Sequence, residues 1–102
     1  MAKTLNPHFQ KSSDQLVRAT EVSTEFLPQN IYRTYLFIQN QGPGYVTVTF
    51  GEAQSGEGEG VRIPAFAQME FSPALIDSVW LVSQDAYSMV EILEAVSAPE
   101  MI

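Results

Sequence analysis

Apolar and polar positions alternate with a period of two through most of this chain, and the apolar ones are rich in β-branched and aromatic residues. That period belongs to half-buried strands. The clearest stretch is RTYLFIQNQGPGYVTVTFG over 33–51, where two apolar runs flank the turn formers Asn40-Gln41-Gly42-Pro43-Gly44. It predicts two strands, at 34–39 and 45–50, joined by a tight loop as a hairpin. Further strands are predicted at 15–22, 67–71, 79–82 and 87–93, and a short one at Phe26-Leu27 ends in a corner at Gln29-Asn30. Only 85–96 invites a helical reading, and there Val90 and Ile92, two apart, favour a strand. Short strands separated by Gly, Pro, Ser and Asp predict an all-β domain, a small antiparallel β-sandwich or jelly-roll-like barrel.

The facing of these strands divides core from surface. Leu36, Ile38, Val48, Phe50, Val79, Leu81, Val90 and Ile92 fall on one face of the best-patterned strands and are expected to form the inner core. Tyr45, Thr47 and Thr49 alternate against Val46, Val48 and Phe50, which predicts one wet face and one buried face. The strands at 34–39 and 79–82 differ, because Tyr35 and Phe37 oppose Leu36 and Ile38, and Trp80 and Val82 oppose Val79 and Leu81. A strand that is apolar on both faces needs cover on both, from its own chain or from another. Tyr35, Phe37 and Trp80 are therefore candidate interface residues, joined by His8 and Phe9 from the N-terminal segment.

A chain of 102 residues fits one domain with a single two-layer core. Residues 1–13 are polar with one proline and few periodic apolar positions, so they read as an arm that adds contact area on docking. The domain then spans 14–96, and 97–102 form a tail. Residues 52–60 are polar, glycine-dense and acidic, and are expected to be a solvated loop. The net charge of −7, from 12 acidic and 5 basic residues, repels phosphate backbones and anionic lipid headgroups. Neither nucleic acid nor a membrane is expected as a partner. The start lacks a hydrophobic signal core, and no apolar run approaches the length of a membrane span. There is no cysteine, which excludes disulfides and thiolate chemistry.

Candidate chemistry is sparse, and no catalytic residue is expected. His8 is the single histidine and lies in the arm, so a nucleophile–histidine–acid triad or a histidine-rich metal site has nothing to build on. Glu52, Glu57 and Glu59 lack the spacing of a calcium loop, so no metal or other cofactor is expected. Gly42-Pro43-Gly44 has no lysine or helix start after it and reads as a turn, not as a phosphate cradle. Arg33 and Arg62 adjoin strands and are matched with Asp77 or Glu70 as surface pairs, each contributing about 0–1 kcal/mol.

Leu27-Pro28-Gln29-Asn30, then Arg33-Thr34-Tyr35-Leu36-Phe37-Ile38-Gln39-Asn40, then Val46-Thr47-Val48-Thr49-Phe50-Gly51 resembles a recurrent opening of small structural proteins of tailed bacteriophage virions. The resemblance covers 26–51. It implies a non-enzymatic β-sandwich that binds the major capsid protein or another virion protein as a decoration or cement subunit on the outer surface of the head. A homotrimer about a local threefold axis fits that implied role, since cyclic assembly closes the interfaces. A tail or fibre-base accessory protein is the alternative within the same family. From a different class, the aromatic residues also fit a carbohydrate-binding module, which requires exposed rings along one groove.

Overall fold

The computed structural model of this chain describes residues 8–56, 58–71, 76–84 and 87–99, the side chains of 8–11, 98 and 99 excepted. The strands among them are β1 (His8–Thr20), β2 (Thr24–Leu27), β3 (Arg33–Pro43), β4 (Val46–Phe50), β5 (Val61–Ile63), β6 (Gln68–Phe71), β7 (Val79–Ser83) and β8 (Tyr87–Pro99). They form two four-stranded antiparallel sheets, ordered β1-β8-β3-β6 and β2-β7-β4-β5. Pairing β1 with β8, β2 with β7, β3 with β6 and β4 with β5 folds one long hairpin over on itself, the jelly-roll arrangement. The all-β sandwich expected from the alternation is the observed fold, and no helix occurs among the described residues.

The connections differ from the expected hairpin. The runs either side of Asn40–Gly44 are strands, but β3 and β4 lie in different sheets. Both edges of β3 are already filled, by β8 and by β6, so the turn carries the chain across the sandwich instead of reversing it within a sheet. Among the described strands, β4 and β5 are the one consecutive pair that hydrogen-bonds as a hairpin. The boundary expected after residue 13 also falls inside a strand. Residues from His8 onward pair with β8 in unbroken register, ending His8 opposite Pro99, so both the half of the expected arm nearest the domain and the start of the expected tail belong to the sheet. Backbone pairing along an edge strand asks little of side chains, which is why Ser12, Ser13 and Asp14 are compatible with it. Residues 1–7 and 100–102 lie outside the described residues.

The core sits between the sheets and contains Leu36, Ile38, Val48, Val79, Leu81, Val90 and Ile92, as the alternation predicts, together with Ala19, Leu27, Val46 and Ile63. Phe50 is half-buried at its margin and meets Phe71 edge to face, with ring centroids 5.3 Å apart. The burial of Arg33 departs from the surface role expected of it. Its side chain is fully buried: Nε donates to Glu94 Oε2 at 2.6 Å, while the two terminal nitrogens donate to the carbonyls of Asp77 and Pro28, each at 2.8 Å. One planar fork thus ties β3 to β8 and to the connections that follow β2 and precede β7.

Arg33→Met should lower stability by about 3–5 kcal/mol, because Glu94 is left as an unpaired, largely buried carboxylate and two carbonyls lose their donors. Urea unfolding of the variant beside the wild type measures this; a loss below about 1 kcal/mol, the range of exposed pairs, would contradict the buried clamp.

Candidate assembly surfaces

The face of the β1-β8-β3-β6 sheet that turns away from the second sheet is built in rows set by strand register. One row runs Asp14, Leu93, Phe37, Glu70 across all four strands, a second places Leu16 beside Glu91 and Gln39, and a third places Tyr35 beside Ala95. Phe37, Leu93, Tyr35 and Met89 are half-buried by their neighbours within the sheet, and Leu16 is 57% exposed. Phe37, Leu93, Tyr35 and Met89 lie on the two inner strands, interrupted there by Glu91 and Gln39, while Asp14 and Glu70 stand on the two edge strands. The Tyr35 hydroxyl is hydrogen-bonded to Glu70, which holds the phenol above its ordinary range. Glu91, on the inner strand β8, is raised as well, by a hydrogen bond to and repulsion from Asp14 on the edge strand β1. A raised carboxyl binds its proton more tightly folded than unfolded, so this pair opposes folding as pH rises through the carboxylate range. Arg18 lies over the Tyr87 ring at 4.3 Å on the same face.

Trp80 belongs elsewhere. It lies on β7 opposite Thr49 and Glu25, on the outer face of the second sheet, with its indole N–H donating to Ser78 Oγ at 3.0 Å. Tyr35 and Phe37 are therefore separated from Trp80 by the whole sandwich, and the three do not form one patch. His8 and Phe9 open β1 opposite Pro99 and Ala98, and their side chains lie outside the described residues. Leu16, Met89 and Leu93 were not singled out by the sequence; the parity of Met89 and Leu93 against Val90 and Ile92 is the signal that places them on the same outer face.

The outer face of β4 is not wet, in contrast to the expectation for Tyr45, Thr47 and Thr49. Thr47 and Thr49 are only 5% and 7% exposed, because the 51–60 loop folds back over them. Thr49 Oγ1 donates to the Glu52 carbonyl at 2.8 Å, Gln54 N–H donates to Ser23 Oγ at 3.2 Å, and Gln84 Nε2 donates to Gln54 Oε1 at 3.3 Å. The loop is thus pinned to the sheet at both its start and its middle; Glu57 is outside the described residues. Under it lies a polar cavity of about 240 Å³ lined by Thr47, Gln54, Glu59, Arg62 and Gln84 among others, with no aromatic ring in its wall. Arg62 stacks on Tyr45 at 4.1 Å, and the Tyr45 hydroxyl donates to Gln84 Oε1 at 2.7 Å. The stacking platform that a sugar site requires is not assembled there. Among the described residues no three His, Cys, Asp or Glu side chains converge to hold a metal ion.

No family model matches the chain, and no curated protein matches it by sequence. Its fold is similar to a solved structure of Bacillus endospore appendages, described as a novel family of disulfide-linked pili, with a TM-score of 0.65 and 16% identity over 99% of this chain and 96% of that one. At that identity the likeness is one of fold. The disulfide linkage named for that protein has no counterpart here, since this chain contains no cysteine.

Gly60 fixes the return of the loop. Its φ is 101°, and a Cβ there would stand 2.6 Å from the Val48 carbonyl oxygen and within 2.9 Å of the methyl groups of Thr47 and Thr49. Gly60→Ala should cost about 2–4 kcal/mol from backbone strain and contact with an immovable backbone oxygen. Gly56→Ala, where the added methyl meets nothing within 4 Å, should stay within about 0.5 kcal/mol. Equal melting temperatures for the two variants would contradict a loop packed on the sheet.

Proposed function

We propose that this chain is a non-enzymatic structural subunit that works by packing against other protein subunits through the outer face of the β1-β8-β3-β6 sheet. The observation that carries this reading is the row of Leu93 and Phe37, with Leu16 and Tyr35 beside it, on a face turned away from the chain's own core. Apolar side chains mixed with polar ones are the anatomy of protein interfaces. The carboxylates of Asp14, Glu70 and Glu91 among them fit a partner with basic groups. Within this class, the likeness of 26–51 to virion proteins supports a capsid decoration subunit, assembled as a closed trimer on the outer shell. A second reading, an appendage subunit that joins end to end, is supported by the fold shared with the endospore pilus protein over nearly the whole of both chains.

Phe37→Lys tests the shared core of both readings. Glu70 lies directly opposite on β6, so the lysine gains a cross-strand partner and the isolated fold should stay within about 1 kcal/mol of wild type. A charge at the centre of a desolvated contact should nonetheless weaken association by about thirtyfold or more. Light scattering across concentration and co-sedimentation with undecorated capsids are the measurements. A monomer that shifts on a glycan array, with or without the lysine, would instead favour a carbohydrate module.

A further inference from the structure

β1 is an edge of its sheet: β8 fills one side of it, and among the described residues no strand pairs with the other. An open row of backbone N–H and C=O groups is a template for a further strand. β1 is also the edge best suited to that use. It runs 13 residues in unbroken register and without proline, whereas the other edge strands, β2, β5 and β6, have 4, 3 and 4 residues, and the register of β2 is irregular. The longest edge is the open one.

The side chains along this edge are complementary to themselves. Asp14, Leu16 and Arg18 stand two apart on the outer face of the sheet, all exposed, with the apolar residue between a negative and a positive one. An antiparallel copy presents the same three in reverse. Setting Leu16 opposite Leu16 of a second β1 therefore sets Asp14 opposite the partner's Arg18, and Arg18 opposite the partner's Asp14, on one face. Other registers lose this match: a shift of one residue turns the partner's outer face to the opposite side, and a shift of two sets Asp14 opposite Leu16 or Thr20. Within its own chain Asp14 is hydrogen-bonded to a second carboxyl, Glu91, and among the described residues no cation is paired with either. Arg18 meets the Tyr87 ring and no carboxylate.

We propose that two copies join edge to edge through β1, antiparallel about Leu16, with Asp14 of each facing the partner's Arg18. The inference rests on the structural-subunit reading and names a second copy as one partner of that subunit. A second copy is the occupant because the charge order along the edge matches its own reverse. Each copy brings a net charge of −7, and the two Asp–Arg pairs place opposite charges where the copies touch. Like surfaces meet in such a contact, so a twofold axis relates the copies and the interface closes at a dimer. The strand order becomes β6-β3-β8-β1-β1-β8-β3-β6, one continuous sheet whose outer face carries Phe37 and Leu93 of both copies. The edge contact and the outer face are distinct surfaces, so both can be used at once.

The test uses the full chain and reads mass by sedimentation over a wide concentration range, with a melting temperature for each variant. Wild type is expected to dimerise. Asp14→Arg and Arg18→Asp each set like charges opposite one another twice across the twofold axis, so each should weaken the dimer about tenfold or more. Both positions are exposed, and both variants should melt near the wild-type temperature. Combining the two substitutions restores opposite charges and should return the dimer to within about threefold of wild type. Because the chain has no cysteine, Leu16→Cys supplies a single thiol that stands opposite its own copy, whereas in Ser12→Cys the two thiols lie about 27 Å apart along the strand. Oxidation should crosslink the first and not the second. Undiminished dimers in both single variants, no rescue in the double variant, or equal crosslinking at positions 12 and 16 overturns the proposal. If wild type stays monomeric yet binds undecorated capsids, or if Phe37→Lys abolishes a self-association that the edge variants leave intact, the edge contact fails while the subunit reading stands. If wild type associates with neither itself nor a particle, both fail.

Discussion

The structure turns on one buried amide. Asn40 is fully buried near the end of β3, where the chain must leave one sheet for the other, and both its amide hydrogens and its side-chain oxygen bond backbone groups. Nδ2 donates to the carbonyls of Gly44 and Ile63 at 2.8 and 2.9 Å, and Oδ1 accepts from Gly42 N–H at 2.8 Å. Its main chain bonds Ala67 and Phe66. Two crossings between sheets, from β3 to β4 and from β5 to β6, thus share a single residue. Buried connections carry polar backbone groups that need partners, and here an amide, with two donors and an acceptor, supplies them where a hydroxyl could not. Ser88 Oγ adds a second donor to the Gly44 carbonyl.

Arg33 performs the corresponding task at the opposite end of β3, bonding carbonyls of the connections beside β2 and β7. A strand clamped at both ends by buried polar groups holds the two sheets in register over a small apolar core. This division of labour leaves the outer sheet face and the two ends free of structural duty. The apolar side chains of Phe37 and Leu93 are presented by a sheet that Arg33 and Asn40 hold at the two ends of β3.

The core was legible because Leu36, Ile38, Val79, Leu81, Val90 and Ile92 obey the two-residue period that any half-buried strand imposes. The turn at Asn40–Gly44 was legible from its residue types. Sheet membership was not: the period reports which face a residue takes, and it is silent on whether a turn reverses the chain or carries it across, so β3 and β4 read as a hairpin. For the same reason Tyr35, Phe37 and Trp80 read as one apolar second face, although they lie on opposite sheets. β5 is three residues long and too short to carry a period. The packing of the 51–60 loop depends on Ser23 and Gln84, distant in sequence, and the burial of Arg33 depends on Glu94 in the same way. Such long-range partners leave no local trace.

The central claim is that the Asn40 amide, through its N–H donors, holds both crossings. The most direct measurement is the urea stability of wild type and Asn40→Asp at pH 4 and pH 7. The substituted carboxyl would face the Gly44 and Ile63 carbonyls, so its charged form is disfavoured and its folded pKa is raised above the unfolded value of about 3.9. Stability linked to a raised carboxyl is present at low pH and is lost as pH rises. The account predicts a gap from wild type that widens from pH 4 to pH 7 by about 2 kcal/mol or more, up to unfolding at neutral pH with recovery in acid. A gap that is small and the same at both pH values would contradict it.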